Sequence, residues 1–193
     1  MKSLPLMDTE AGYLDQVRRD TVEWLERAVI GLNLCPFAKA VHVKKQVRYT
    51  VFTGADSMDL LPLLVDELKY LASADPLALD TTLLIAPRCL QDFLDFNDFL
   101  ALADRALRKQ QLDGVLQIAS LHPRYQFAET ASDDITNFTN RSPYPTLHLL
   151  REDSIDRAVA AFPEPEAIFE NNMRCMEKLG LEGWRALGMK AGV

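Results

Sequence analysis

Apolar residues recur at helical spacing early in the chain: Leu14, Val17, Trp24, Leu25, Ala28 and Leu32, with Thr21 on the same stripe. A period near 3.6 predicts a long amphipathic helix over residues 10–32. The pattern then changes. "VKKQVRYTVF" alternates, with Val47, Tyr49 and Val51 on one side, and predicts a strand over 46–52 that Gly54 ends. "DLLPLLVDELKYLASA" is helical, and Pro62 fits only if the helix begins near Asp59 with the proline in its first turn. "TTLLIAP" is a short apolar run between turn signals, the pattern of a strand covered on both faces, here over 81–86. "LQDFLDFNDFLALADRALRKQQL" predicts a helix closed by Asp113 and Gly114, and "VLQIASL" a third strand over 115–121. "TLHLLR" (146–151) predicts a fourth strand, followed by helices around 154–161 and 165–179.

Strands alternating with helices of this length imply right-handed crossovers and parallel pairing of the first three strands. The fourth follows a loop and is expected antiparallel. The predicted fold is α/β: a mixed four-stranded sheet of three parallel strands plus one antiparallel, with helices on both faces. Its βαβαββα order is preceded by the long N-terminal helix. Thioredoxin-like folds share that order, but Cys35 stands before the first strand, where an active site of that fold would not be. With no internal repeat or linker, the chain reads as a single domain over 1–193, residues 1–9 forming a flexible N-terminal tail.

Composition narrows the partners. A formal net charge of −7 sets the chain against phosphate backbones, so no nucleic acid is expected. No run of about 18 apolar residues is present, so no membrane span is expected. "MKSLPLMDTEAG" lacks the apolar stretch of a signal peptide, and a cytoplasmic location follows. Cys35, Cys89 and Cys175 are odd in number and far apart, without CxxC spacing, which argues for reduced thiols and against a zinc site. Glycine-rich phosphate loops, GxSxG and HExxH are missing too, so the common nucleotide and hydrolase signatures are absent and the cofactor is left unknown.

Ligands of open parallel sheets bind beyond the strand carboxyl ends. Those ends carry "FTGADS", "APRC" and "LHPRYQF", which sets Gly54, Arg88, His122 and Arg124 on one edge. An antiparallel fourth strand begins at that edge and brings in "NRSPYP", with Asn140, Arg141 and Ser142. The connection from His122 to Tyr144 is far longer than the roughly 2–6 residues of an ordinary loop, and its aromatic residues argue for order. Tyr144-Pro145 predicts a tight entry into the fourth strand, and a cis bond in "SPYPT" is compatible with it.

"GLNLCPFAKA", "HPRYQF" and "NFTNRSPYPTLHLLRE" together resemble the family catalogued as domain of unknown function 1415, over roughly Val17 to Gly180. Leu121 stands where that family is expected to carry an aromatic residue. Carried onto this chain, the hallmark positions are Asn33, Cys35, Pro36, His122, Pro123, Asn140, Arg141, Ser142 and Pro143. The resemblance implies one structural unit and brings no reaction with it.

His122, held by Pro123 at a central strand's end, fits an acid/base group, a metal ligand or a structural histidine. Arg88, Arg124 and Arg141 fit bidentate binding of a carboxylate or phosphate, or pinning of the loop through carbonyls. Asn140 and Ser142 are placed to orient a substrate. Cys35 before Pro36 fits an N-cap thiol with proline at the first helical position of "PFAKAV", or a small apolar residue packed between Leu34 and Phe37. Asp92, Asp95 and Asp98 drift around their helix and read as a solvated acidic face. His148 reads as a core histidine, and Asn172, on an apolar stripe, must find a polar partner. The expected function is an enzyme acting on a small anionic molecule at the strand carboxyl edge. His122 is its acid/base group, with Cys35 assisting as thiol or nucleophile. A binding module using the 122–144 loop, or a metal or cofactor site at Cys35 and His122, are the alternatives.

Overall fold

Thr9 accepts a hydrogen bond from the Gly12 N–H (3.1 Å) and opens helix α1, Glu10–Trp24, in the computed structural model, which describes residues 9–160 and 167–190. The proposed flexible tail, Thr9 apart, lies outside the described residues. The long first helix is not α-helical throughout. It passes at Leu25 into a π-helical stretch, Leu25–Ile30, where the Gly31 N–H bonds Glu26 O five residues back (2.9 Å). Glycine is needed there, because a Cβ on Gly31 would lie 2.2 Å from Arg27 O. The remaining elements are α2 (Ala38–Val43), β1 (Val47–Val51), α3 (Ser57–Ser73), β2 (Thr81–Ile85) and α4 (Phe93–Lys109). Then come β3 (Leu116–Leu121), a 3-10 turn (Ile135–Asn140), β4 (Thr146–Arg151), α5 (Glu152–Ala160) and α6 (Ala167–Ala186), kinked at Gly180 with φ 65°.

The sheet order is β1-β2-β4-β3. β1 and β2 pair in parallel, Tyr49 opposite Leu83, whereas β4 lies between β2 and β3 and pairs antiparallel with both. The expected parallel pairing of three strands is therefore corrected. β3 points the same way as β1 and β2 but meets neither, because β4 takes the central place. The reason is burial. Leu147 and Leu149 of β4 are almost fully enclosed, while β3 exposes Gln117 and so suits an edge.

Helices cover both faces. Leu84, Leu116, Leu147 and Leu149 pack with Leu60, Leu64 and Leu68 of α3 and Phe96, Phe99 and Ala103 of α4. On the opposite face, Leu83 and Ile85 pack with Val17 of α1 and with Tyr144. A neighbouring cluster joins Trp24, Leu25 and Ala28 to Leu34, Phe138, Met176 and Trp184.

Three local expectations are revised. Pro62 is the sixth residue of α3, not part of its first turn; the bond it cannot donate would fall to the carbonyl of Met58, an exposed residue open to solvent. The peptides in "SPYPT" are trans: the described residues contain no cis bond. Pro36 does not open a helix, since α2 begins at Ala38 behind Phe37. None of the described helices is long and apolar enough to cross a membrane.

Candidate functional site

Two long helices begin at the carboxyl ends of the paired strands β1 and β2, and each is opened by an aspartate. Asp56 accepts from the Met58 N–H (2.8 Å). Asp92 accepts from the N–H groups of Leu94 (2.8 Å) and Asp95 (3.4 Å). Those donors hold the Asp92 carboxyl below the usual carboxylate range, so it is charged at neutral pH. Between the helix starts runs an open cleft of about 830 Å³. Asp56, Arg88, Gln91, Asp92, Asp95 and Asp98 supply its polar lining, and Cys89, Phe99 and Leu102 its apolar part.

The wall from Pro87 to Asp92 is held from behind. His122 is completely buried, its ring against Phe93 (centroids 5.3 Å apart) and Phe96 (5.1 Å). Its Nδ1 accepts from the Arg124 backbone N–H (2.9 Å), which places the proton on Nε2, and Nε2–H donates to Leu90 O (3.0 Å). Burial, as the largest cause, lowers its pKa and keeps the ring neutral. Leu90 itself sits at φ 55°, a conformation that a side chain normally avoids. The His122 bond and that of Arg124 Nη2 to Gln91 O fix this strained turn from the β3 end.

The arginines are engaged. Arg88 donates Nη1 and Nη2 to the two carboxylate oxygens of Glu10 (2.9 and 3.0 Å) and lies over the Tyr13 ring at 4.3 Å. Arg124 reaches Asp92 at 3.4 Å. Arg141 is buried over the Phe138 ring (4.0 Å) and donates to Tyr125 O (3.2 Å) and Ser132 O (2.6 Å). Asn140 O accepts from the His122 N–H (3.3 Å), and the Ser142 hydroxyl donates to Tyr144 O (2.7 Å). His122, Arg124 and Asn140 thus meet around one turn, with Arg88 on the cleft side of it. Arg141 and Ser142 brace the long loop.

Cys35 lies beside a different apolar cluster. Its neighbour Leu34 packs among Trp24, Phe138 and Trp184 on the α1 face, whereas His122 packs on α4 across the sheet. Asn172, whose partner was open, donates to Leu34 O (2.8 Å) and ties α6 to this corner. Backbone N–H groups of Phe37 and Ala38 favour the Cys35 thiolate, but burial outweighs them and pushes the thiol up. Cys35 should therefore react with iodoacetamide at pH 7.5 more slowly than a small free thiol such as N-acetylcysteine. Faster alkylation in mass-spectrometric labelling would contradict that placement.

Two features escaped the sequence reading. Cys89 lines the cleft, and the helix caps Asp56 and Asp92 frame it. An aspartate before a helical run, in "GADSMD" and in "LQDFLD", was the available signal.

The molecule is an α/β protein built on a mixed four-stranded sheet, with a cleft where its two parallel strands end. It belongs to the family described as "Protein of unknown function (DUF1415)", whose model matches residues 16–186. No curated protein and no solved structure matches the chain.

Proposed function

We propose that this protein binds a small organic cation, an amine or guanidine, in the cleft between the starts of α3 and α4. The observation that carries the reading is the balance of charge there. Four carboxylates, Asp56, Asp92, Asp95 and Asp98, line the cleft. Arg124 pairs with Asp92 from beside it, and the lining arginine, Arg88, is already paired with Glu10, which leaves Asp56, Asp95 and Asp98 in excess. An anion entering it meets net repulsion, and the arginines assigned from sequence to an anion clamp are committed elsewhere. The carboxylates are strung along the cleft: among the described residues no three His, Cys, Asp or Glu side chains gather to hold a metal ion. A volume of about 830 Å³ with an apolar part of Cys89, Phe99 and Leu102 suits an organic molecule. In this reading His122 supports the wall and does not exchange protons with the ligand.

1,4-Diaminobutane should raise the melting temperature more than sodium chloride, phosphate or citrate at equal ionic strength. Asp98→Asn removes one cleft charge without touching a cap, and calorimetry should then show about threefold to tenfold weaker diamine binding. Equal stabilisation by phosphate, or unchanged affinity in the variant, would remove the reading's support.

A further inference from the structure

A second polar cluster lies on the other face of the sheet, and nothing in the cleft uses it. Asp20 of α1 falls on the helix side that carries Val17, Thr21 and Trp24, and its side chain is only 9 % exposed. Tyr144, 7 % exposed, comes from the entry to β4 and donates its hydroxyl hydrogen to Asp20 Oδ2 (2.5 Å). Gln16 donates to the other carboxylate oxygen (2.6 Å). A buried carboxylate is stabilised by such donors, yet its charge still calls for a cation.

Lys190, in the segment after α6, supplies that cation. Its Nζ donates to the Tyr144 hydroxyl oxygen (2.9 Å), lies 3.6 Å from Asp20 Oδ2 and stands 4.7 Å from the centre of the Tyr144 ring. One ammonium thus meets a hydrogen-bond acceptor, a carboxylate and an aromatic face, the three attractions by which alkylammonium groups are recognised. The lysine side chain is 62 % exposed, so its stem approaches from solvent while its head reaches a pair that is almost enclosed. The segment is fastened separately: Arg27 donates to Leu187 O (2.7 Å), and Leu187 and Met189 pack beside Trp24.

We propose that Asp20 and Tyr144 form a primary-ammonium site, filled here by the chain's own Lys190, that accepts an alkylammonium group in place of that side chain. The site is selective by chemistry. The acceptor at Tyr144 requires an N–H donor, which a quaternary ammonium lacks, and the space left by a lysine head suits –NH3+ better than a planar guanidinium. The inference is independent of the cleft, since none of these residues lines it.

The test removes Lys190 and offers its head group in solution. Lys190→Met should be stabilised by n-butylammonium chloride at about 100 mM more than by tetramethylammonium or sodium chloride at equal ionic strength. Saturation-transfer NMR should show n-butylammonium bound to the variant. In Lys190→Met with Tyr144→Phe, which lacks the hydroxyl but keeps the ring, the preference for the primary amine should disappear. Equal response of Lys190→Met to all three cations overturns the proposal, as does an amine preference that survives the loss of the Tyr144 hydroxyl.

Discussion

Acidifying the protein from pH 7 to pH 4 should lower its folding stability, roughly 3 kcal/mol of the loss coming from His148, and His148→Leu should remove that share. His148 lies in the middle of the central strand β4, opposite Leu83 on one side and Ala119 on the other. Burial lowers its pKa to about 4. In the unfolded chain it titrates near 6.5. Above that value both states are neutral and the full stability is present. As pH falls from about 6.5 towards 4, the unfolded chain takes up a proton that the folded protein refuses, so folding weakens progressively. His122, also depressed by burial, adds to the same slope. The lowered carboxyls of Asp92 and Asp134 act in a different window. Their contribution is complete above about 3.9 and is lost only below it. Urea titrations at pH 7, 6, 5 and 4 check the result. A His148→Leu protein with the wild-type slope would show that the ring is not held neutral.

His122→Ala should destabilise the protein by about 3–5 kcal/mol. The substitution empties the space between Phe93 and Phe96 and leaves Leu90 O and the Arg124 N–H without their side-chain partner. His122→Phe separates the two costs. It refills the space, keeps the aromatic contacts and still loses both hydrogen bonds, so about 2 kcal/mol of the loss should remain. Both variants should also loosen the Leu90 turn, seen as faster amide exchange at Cys89–Asp92. Chemical denaturation gives the energies. Either variant unfolding with the wild-type midpoint would contradict a supporting role for this residue.

What the sequence made legible is the set of elements and the edge on which the polar residues gather. Periodicity found the four strands and the long helices because one face of each must be apolar, while the 3-10 turn Ile135–Asn140 was not foreseen, and chain direction placed Arg88 and His122 beyond strand ends. The order of β3 and β4 was harder to see. "VLQIASL" and "TLHLLR" are both apolar, and a crossover argument prefers to add β3 beside β2. The better clue was Gln117, a polar side chain in the middle of β3, which fits an edge strand and not a central one.

The character of the site depended on contacts distant in sequence. Arg88 looks like a free cation until Glu10, 78 residues earlier, is found against it. His122 looks like an acid/base group until Leu90 O and the Arg124 N–H are seen to take both ring nitrogens. Asp20 interrupts an apolar helix stripe, which announces a buried partner but does not say that it is Tyr144. Helix signals also read across the π-helical turn at Leu25–Ile30, because the apolar stripe continues through it.

The most direct test of the cleft reading is amide chemical-shift mapping of the labelled protein titrated with 1,4-diaminobutane, and separately with phosphate, at constant ionic strength. The diamine should move the resonances of Ala55, Asp56 and Ser57 and of the stretch from Arg88 to Asp98, saturably, while phosphate leaves them in place. Shifts that appear with phosphate and centre on His122, Asn140 and Arg141 would contradict it and return the site to an anion.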